Sequence, residues 1–258
     1  MAELRADGQR VLVTAGASGI GREIVDALVG AGARVHLCDV DQGALAAIRA
    51  AQPGVGATLA DVADEAQVDL LFQEVQERLG GLDVLVNNAG ISGPTAPIEQ
   101  IEPADWRRCI DIDLTGQFLC ARRAVPLIKT AGGGAIINMS SVAGRLGYAF
   151  RTPYAAAKWG VIGLTQSLAR ELGPANISVN AILPGIVEGP RMEGVIRARA
   201  EAVGVTYEAM EQQYLERVSL RRMVSPRDVA HMVLFLLTEA GRNVSGQSLS
   251  VCANVETL

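Results

Sequence analysis

A tyrosine and a lysine four residues apart, in the run Tyr154-Ala155-Ala156-Ala157-Lys158, can do proton chemistry together. At that spacing both side chains lie on one face of a helix, about one turn from each other. A free phenol ionises near ~10, too high for a base at neutral pH. An ammonium fixed ~4 Å away is worth roughly 4 kcal/mol at an effective dielectric of about 20, which favours the phenolate. Tyr154 is therefore a candidate general acid/base, with Lys158 as the group that tunes it. A YxxxK pair alone occurs on many ordinary helices, so the reading depends on what stands around it.

The pair needs a helix to carry it. Pro153 to Gly173 supplies one, Ala-rich and with apolar Val161, Ile162, Leu164, Leu168 and Leu172. Near the start of the chain, Arg10–Ala15 is a short β-branched run that reads as a buried strand. The turn Gly16-Ala17-Ser18-Gly19-Ile20-Gly21 follows, then the helical pattern Ile24, Val25, Leu28, Val29. Strand, glycine turn and helix form the setting of a dinucleotide site. Glycines let the backbone approach a pyrophosphate, and the helix N-terminus offers free N–H groups. The next strand, residues 33–39, ends in Asp39. An acid there accepts hydrogen bonds from the adenosine ribose hydroxyls and repels a 2′-phosphate. Neither Ser18 nor Val40 is basic, so the cofactor expected is NAD.

The remaining chain keeps the same rhythm. A helix over 41–51, a strand over 56–60 ending at Asp61-Val62, and a helix over 64–79 come next. A strand over 82–86 leads into Asn87-Asn88-Ala89-Gly90. The pattern then predicts a long helix from Pro103 to about Thr130, with an irregularity at Thr115-Gly116 or Pro126. Strands follow over 135–141 and 177–183, the second ending at Pro184-Gly185. Residues 186–217 break the rhythm and read as a lid over the site. A helix over 226–237 and a strand over 247–251 finish the chain. Alternation of this kind predicts an α/β fold with a parallel sheet. No linker or repeat interrupts it, so residues 1–258 read as one domain.

Composition narrows the function classes. The 258 residues are 49% hydrophobic and 4% aromatic, as suits buried parallel strands covered by helices. A net charge of −5 without a basic block argues against nucleic acid. The opening residues carry no signal-like apolar run, and no stretch is long enough to span a membrane. Cys38, Cys109, Cys120 and Cys252 lack metal or redox spacing and read as reduced cysteines of a cytoplasmic protein. Two isolated histidines, His36 and His231, argue against a zinc site or a Ser-His-Asp triad, so no metal is expected.

Four features coincide: the glycine turn, the acid after the second strand, Asn-Asn-Ala-Gly after the fourth, and Ser141 thirteen residues before Tyr154. Together they resemble the classical short-chain dehydrogenase/reductase family over Arg10 to Val251. The resemblance implies a Rossmann-like doubly wound sheet of seven strands in the order 3-2-1-4-5-6-7. It implies hydride exchange between NAD(H) and a carbinol or carbonyl carbon, on a sugar, polyol, hydroxy acid or other secondary alcohol. Tyr154 then matches the general acid/base, Lys158 its partner and nicotinamide-ribose contact, and Ser141 the group that holds the substrate oxygen. Ser140 has a competing role as a strand-end hydroxyl. Gly16, Ser18, Gly19, Ile20 and Gly21 match the pyrophosphate turn, Asp39 the ribose contact, and Asp61 and Val62 the adenine contacts. Asn87, Ala89 and Gly90 match the cofactor-side turn, and Pro184, Gly185 and Val187 the segment against the nicotinamide. A homotetramer, paired through the helices of 103–130 and 153–173, is implied as well.

The sequence departs from that family pattern in four places. The usual Thr-Gly opening reads Thr14-Ala15-Gly16, as though the first glycine were displaced by one. Asp113 stands where the family has the asparagine of its catalytic tetrad, whose main-chain carbonyl holds a water near the lysine. Gly189 stands where a threonine is common, and Cys252-Ala253-Asn254 replaces a glycine-rich strand end. Asp113 and Gly189 support an alternative, a nucleotide-binding regulatory or structural protein with weakened turnover. Arg145, Arg151 and Arg191 are the residues expected to line the mouth of the site and to favour an anionic substrate.

Overall fold

The structure, a computed structural model, describes residues 4–255. Seven parallel strands form one sheet in the order β3-β2-β1-β4-β5-β6-β7. They are β1 (Arg10–Thr14), β2 (Arg34–Asp39), β3 (Gly56–Leu59), β4 (Val84–Asn87), β5 (Gly134–Met139), β6 (Ile177–Pro184) and β7 (Ser248–Val251). Alternate residues of β1 feed opposite layers, as the pleat requires. Val11 and Val13 pack with α1 (Gly19–Gly30), α2 (Gln42–Ala51) and α9 (Pro226–Leu237), through Ile24, Leu28, Leu45, Val229 and Val233. Leu12 faces the other layer, with Leu71 and Val75 of α3 (Glu65–Leu79) and with Cys120 and Ala124 of α5 (Gly116–Thr130). The near-continuous apolar runs in the strands follow from burial on both faces.

Local chemistry sets the helix boundaries. Asp41 caps α2 by accepting from the amide of Ala44, and Asp64 caps α3 by accepting from Ala66 and Gln67. The sequence pattern starts the two helices at Asp41 and Asp64; in the structure each acid is the N-cap and the helix begins one residue later. Gly80 ends α3 in the left-handed conformation at φ 73°. Ser225 and Asp228 form a reciprocal capping box on α9.

The long helix expected from 103 to 130 is three pieces. α4 (Pro103–Ile110) runs into a π-helical segment, Asp111–Thr115, and then into α5. The irregularity thus ends at the expected Thr115-Gly116, while Pro126 lies inside α5 without ending it. A π-helical turn shifts the hydrogen-bond ladder by one residue and re-aims its side chains, and such turns gather at functional sites. Here Asp113 is the residue re-aimed, and it is fully buried. Residues 190–216 form α7 (Pro190–Val203) and α8 (Tyr207–Glu216), with Met192 and Tyr214 packed against Ile196 and Met210.

Candidate functional site

The site gathers where β1, β4 and β5 end and where α6 (Thr152–Leu172) begins. In a doubly wound sheet ligands bind at the carboxyl ends of the strands, where the strand order reverses on either side of β1.

The glycine turn is cut close to its neighbours. A Cβ added to Gly16 would stand 2.7 Å from Cβ of Leu37, and one on Gly21 would stand 2.0 Å from the Ala15 carbonyl oxygen. Asn88 clamps this turn by donating through Nδ2 to the carbonyls of Thr14 and Ala15, both at 3.0 Å. The Thr14 hydroxyl accepts from the amides of Asn88 and Ala89. The turns after β1 and β4 are therefore one unit. The α1 N-terminus has no side-chain cap from Ser18 and no acid in its first turn. Its N–H groups and partial positive charge suit an anion.

Asp39 is stitched to the same turn. Its Oδ2 accepts from the amide of Ala17 at 3.1 Å, and its Oδ1 from Val40 and Asp41 at 2.8 and 3.1 Å. A dinucleotide fits this set: a pyrophosphate at the bare helix end and ribose hydroxyls at a fixed carboxylate. Asp61 is turned partly elsewhere, its Oδ2 accepting from Arg108 at 2.7 Å. Val62 is buried, and a Cβ added to Gly116 would stand 2.7 Å from its Cγ2. Asn87 spends its side chain inside, donating to the Gln117 carbonyl and to Oδ1 of Asn138.

Around Tyr154 the geometry is more specific. Lys158 Nζ lies 5.5 Å from the Tyr154 ring centroid, donates to the Met139 carbonyl at 3.1 Å, and is 3.4 Å from Oδ2 of Asp113. Oδ1 of Asp113 accepts from the amide of Ile91 at 2.6 Å. A Cβ on Gly90 would stand 3.1 Å from Oδ1 of Asp113 and 3.2 Å from Nζ of Lys158, so turn, carboxylate and ammonium converge. The main-chain carbonyl of Asp113 accepts from Nε2 of Gln117, which also donates to Met139. Ser140 donates to the Lys158 carbonyl at 2.8 Å, which fixes β5 against α6 and fulfils its strand-end role. Ser141 is buried, and its Oγ accepts from the amide of Ala143, which leaves the O–H to donate.

Pro184 and Gly185 close β6. Gly185 donates to the Val251 carbonyl, and a Cβ on it would collide with Cys252. Val187 bridges to Val224. Gly189 adopts φ 125°, a conformation that would strain a threonine, so the departure at this position follows from the path of the chain into α7. Ala253 and Asn254, in the former glycine stretch, both take positive φ.

The first glycine is not displaced. Ala15 itself takes the left-handed conformation, φ 49°, so it is a substitution at the glycine position. The three arginines also part company. Arg145 turns to the sheet edge, donating to the Ser248 carbonyl at 2.6 Å. Arg151 and Arg191 both reach Ser92, through its carbonyl at 2.6 Å and its hydroxyl at 3.3 Å. Arg191 also donates to the Gly90 carbonyl at 3.0 Å. Sequence reasoning missed Asn88 and Gln117. Their amides sit inside turns and a helix where no spacing rule marks them, although an amide is the one side chain that can bridge a donor and an acceptor there.

A family model described as Enoyl-(Acyl carrier protein) reductase matches residues 14–253. The chain belongs to the classical short-chain dehydrogenase/reductase family. It is 38% identical over 246 residues to cis-4-hydroxycyclohexanecarboxylate dehydrogenase of Sinomonas cyclohexanicum, across 93% of each chain. Among solved structures, a variant of actinorhodin polyketide ketoreductase with NADPH matches at TM-score 0.92 and 32% identity, covering 98% of this chain and 99% of the other. A 3-ketoacyl-(acyl-carrier-protein) reductase from Brucella melitensis with NADH matches at 0.87 and 26%, covering 97% and 99%. The relatives include dehydrogenases and reductases acting at hydroxyl or keto groups, and the two solved structures carry nicotinamide cofactors. Among the described residues no helix is long and apolar enough to cross a membrane.

Proposed function

We propose that this chain is an NAD(H)-dependent oxidoreductase that interconverts a secondary alcohol and its carbonyl, with Tyr154 as general acid/base. The observation that carries this reading is Lys158, held by Met139 and Asp113, with its ammonium 5.5 Å from the Tyr154 ring centroid. Tyr154 and Lys158 share one face of α6, so phenol and ammonium can act on the same bound substrate. Tyr154 takes the hydroxyl proton in oxidation and returns it in reduction. Ser141 donates to the oxygen as charge develops on it. When bound, the cofactor accepts or supplies the hydride. Gly16, Ser18, Gly19, Ile20 and Gly21 hold its pyrophosphate side, Asp39 the ribose, and Asp61 and Val62 the adenine. Ala89, Gly90, Pro184, Gly185 and Val187 shape the nicotinamide end, and Asn87 supports it from inside. Residues 186–217 act as the lid. Trp106, Phe118 and Trp159 are exposed on α4, α5 and α6, which supports a homotetramer paired through those helices.

NAD(H) preference rests on Asp39, flanked by Ser18 and Val40 with no basic side chain. Turnover of a panel of secondary alcohols, read as NADH absorbance, tests the assignment. The expected result is turnover with a higher kcat/KM for NAD⁺ than for NADP⁺, and a loss of ~10-fold or more for NAD⁺ in Asp39→Ala, the scale of one charged hydrogen bond. Equal or better use of NADP⁺ would sink the cofactor assignment. Absence of turnover with either cofactor would favour the weakened, regulatory reading instead.

A further inference from the structure

Arg151 is a buried cation without a counter-charge. The residue is 3% exposed. Its guanidinium stacks 4.8 Å from the Tyr154 ring centroid and 5.3 Å from that of Tyr148. Nη2 donates to the Ser92 carbonyl at 2.6 Å, while Nε is buried with no hydrogen-bond partner. Among the described residues no carboxylate pairs with it. Burying a charge and leaving one of its donors unmet is unfavourable unless something compensates. The rings and one carbonyl compensate only in part.

Its neighbourhood is cationic as well. Lys158, Arg151 and Arg191 all act on the thiol of Cys109, against Asp113 alone on the acidic side. Asp113 is already engaged by Lys158 and Ile91. On the far side of Arg151, Tyr148 shares a hydrogen bond of 2.8 Å with Tyr214 of α8. Burial and that partner hold Tyr148 neutral, so it offers no charge to balance the arginine.

We propose that the substrate brings the missing charge: it is a hydroxy acid or the matching keto acid, whose carboxylate is held by Arg151 beside Tyr154. This rests on the oxidoreductase reading above and names the substrate class for that site. One buried cation is balanced by one negative charge, and a planar carboxylate matches the edge of a guanidinium. Arg151 sits three residues before Tyr154 at the start of α6, so the carboxylate lies within a few bonds of the reacting carbon. Arg191, on the first turn of the lid helix, is exposed and spends its donors on Gly90 and Ser92. It is placed to add a second contact when the lid closes.

The test uses 3-hydroxybutyrate and 4-hydroxycyclohexanecarboxylate, each paired with its primary amide, and the intact protein with NAD⁺. In the wild type kcat/KM for at least one acid exceeds that for its amide by ~30-fold or more, the scale of a charged hydrogen bond. In Arg151→Gln that ratio falls to within about threefold, mainly through KM of the acid. Arg151→Lys restores part of the preference, which a purely structural arginine would not show. A separate arm measures cyclohexanecarboxylate binding by calorimetry, with thermal melts confirming that each variant is folded. Binding weakens at least ~10-fold in Arg151→Gln. Amides used as well as acids, an acid preference that survives Arg151→Gln, or carboxylate binding independent of Arg151 would each overturn the proposal. Carboxylate binding through Arg151 without turnover of any alcohol would leave Arg151 as a carboxylate site and sink the oxidoreductase reading together with the substrate assignment that rests on it.

Discussion

Asp113 and Lys158 form a buried ion pair, with Oδ2 3.4 Å from Nζ and side chains 0% and 3% exposed, and Nζ lies 5.5 Å from the Tyr154 ring centroid. In the family that this chain resembles, an asparagine at this position acts through its main chain. Here the main-chain carbonyl is met by Gln117 and the side chain reaches the lysine directly. The departure thus supplies Lys158 with a counter-ion. Asp113→Asn keeps an acceptor for the Ile91 amide and removes the negative charge. We expect kcat to stay within ~10-fold, about 1.4 kcal/mol in barrier. Asp113→Ala removes both roles and costs ~3–5 kcal/mol of stability. Loss of kcat in a folded Asp113→Asn protein would give the carboxylate a direct part in the reaction.

Ala15 carries backbone strain that its family position does not require. A left-handed alanine costs roughly 1–2 kcal/mol, and the extra unfolded-state freedom of glycine offsets ~0.4–1 kcal/mol of that. Ala15→Gly should stabilise by up to ~1 kcal/mol, raising Tm by about 2–4 °C. A lower Tm would mean that the methyl group makes contacts worth more than the strain.

His36 sets an acid limit on stability. It is buried in β2, its Nε2 against the Thr58 hydroxyl and its Nδ1 without a partner. Burial lowers its pKa from 6.5 to about 4. The unfolded chain therefore takes up a proton at a pH where the folded protein does not. Stability is complete above ~6.5 and is lost as pH falls toward ~4, by up to about 3 kcal/mol. Urea unfolding at pH 7.5 and 5.0 should show the drop, and His36→Gln should flatten it. An unchanged slope in the variant would assign the acid sensitivity to other groups.

The alternation of strands and helices was legible because buried parallel strands announce themselves as apolar runs and α1, α3 and α6 as periodic ones, while the strand order came from the family resemblance. Ser141, Tyr154 and Lys158 stood out as candidates only when their spacing was taken together with the glycine turn, Asp39 and the Asn-Asn-Ala-Gly turn. What escaped was set by tertiary contact. The π-helical turn at 111–115 has no sequence signature, yet it decides where Asp113 points. Asn88 and Gln117 matter through bonds to carbonyls 73 to 74 and 22 residues away. The three arginines looked alike in sequence; only packing separates Arg145 at the sheet edge from Arg151 beside the tyrosine.

The most direct measurement is Tyr154→Phe, with kcat determined alongside NADH affinity and thermal melting. The substitution removes one oxygen and keeps the ring that Arg151 and Lys158 both approach. The account predicts a folded protein that binds NADH as the wild type does and loses at least ~100-fold in kcat, the scale of a general acid/base. Near-full turnover in a folded Tyr154→Phe protein would contradict it, because another group would then be moving the proton.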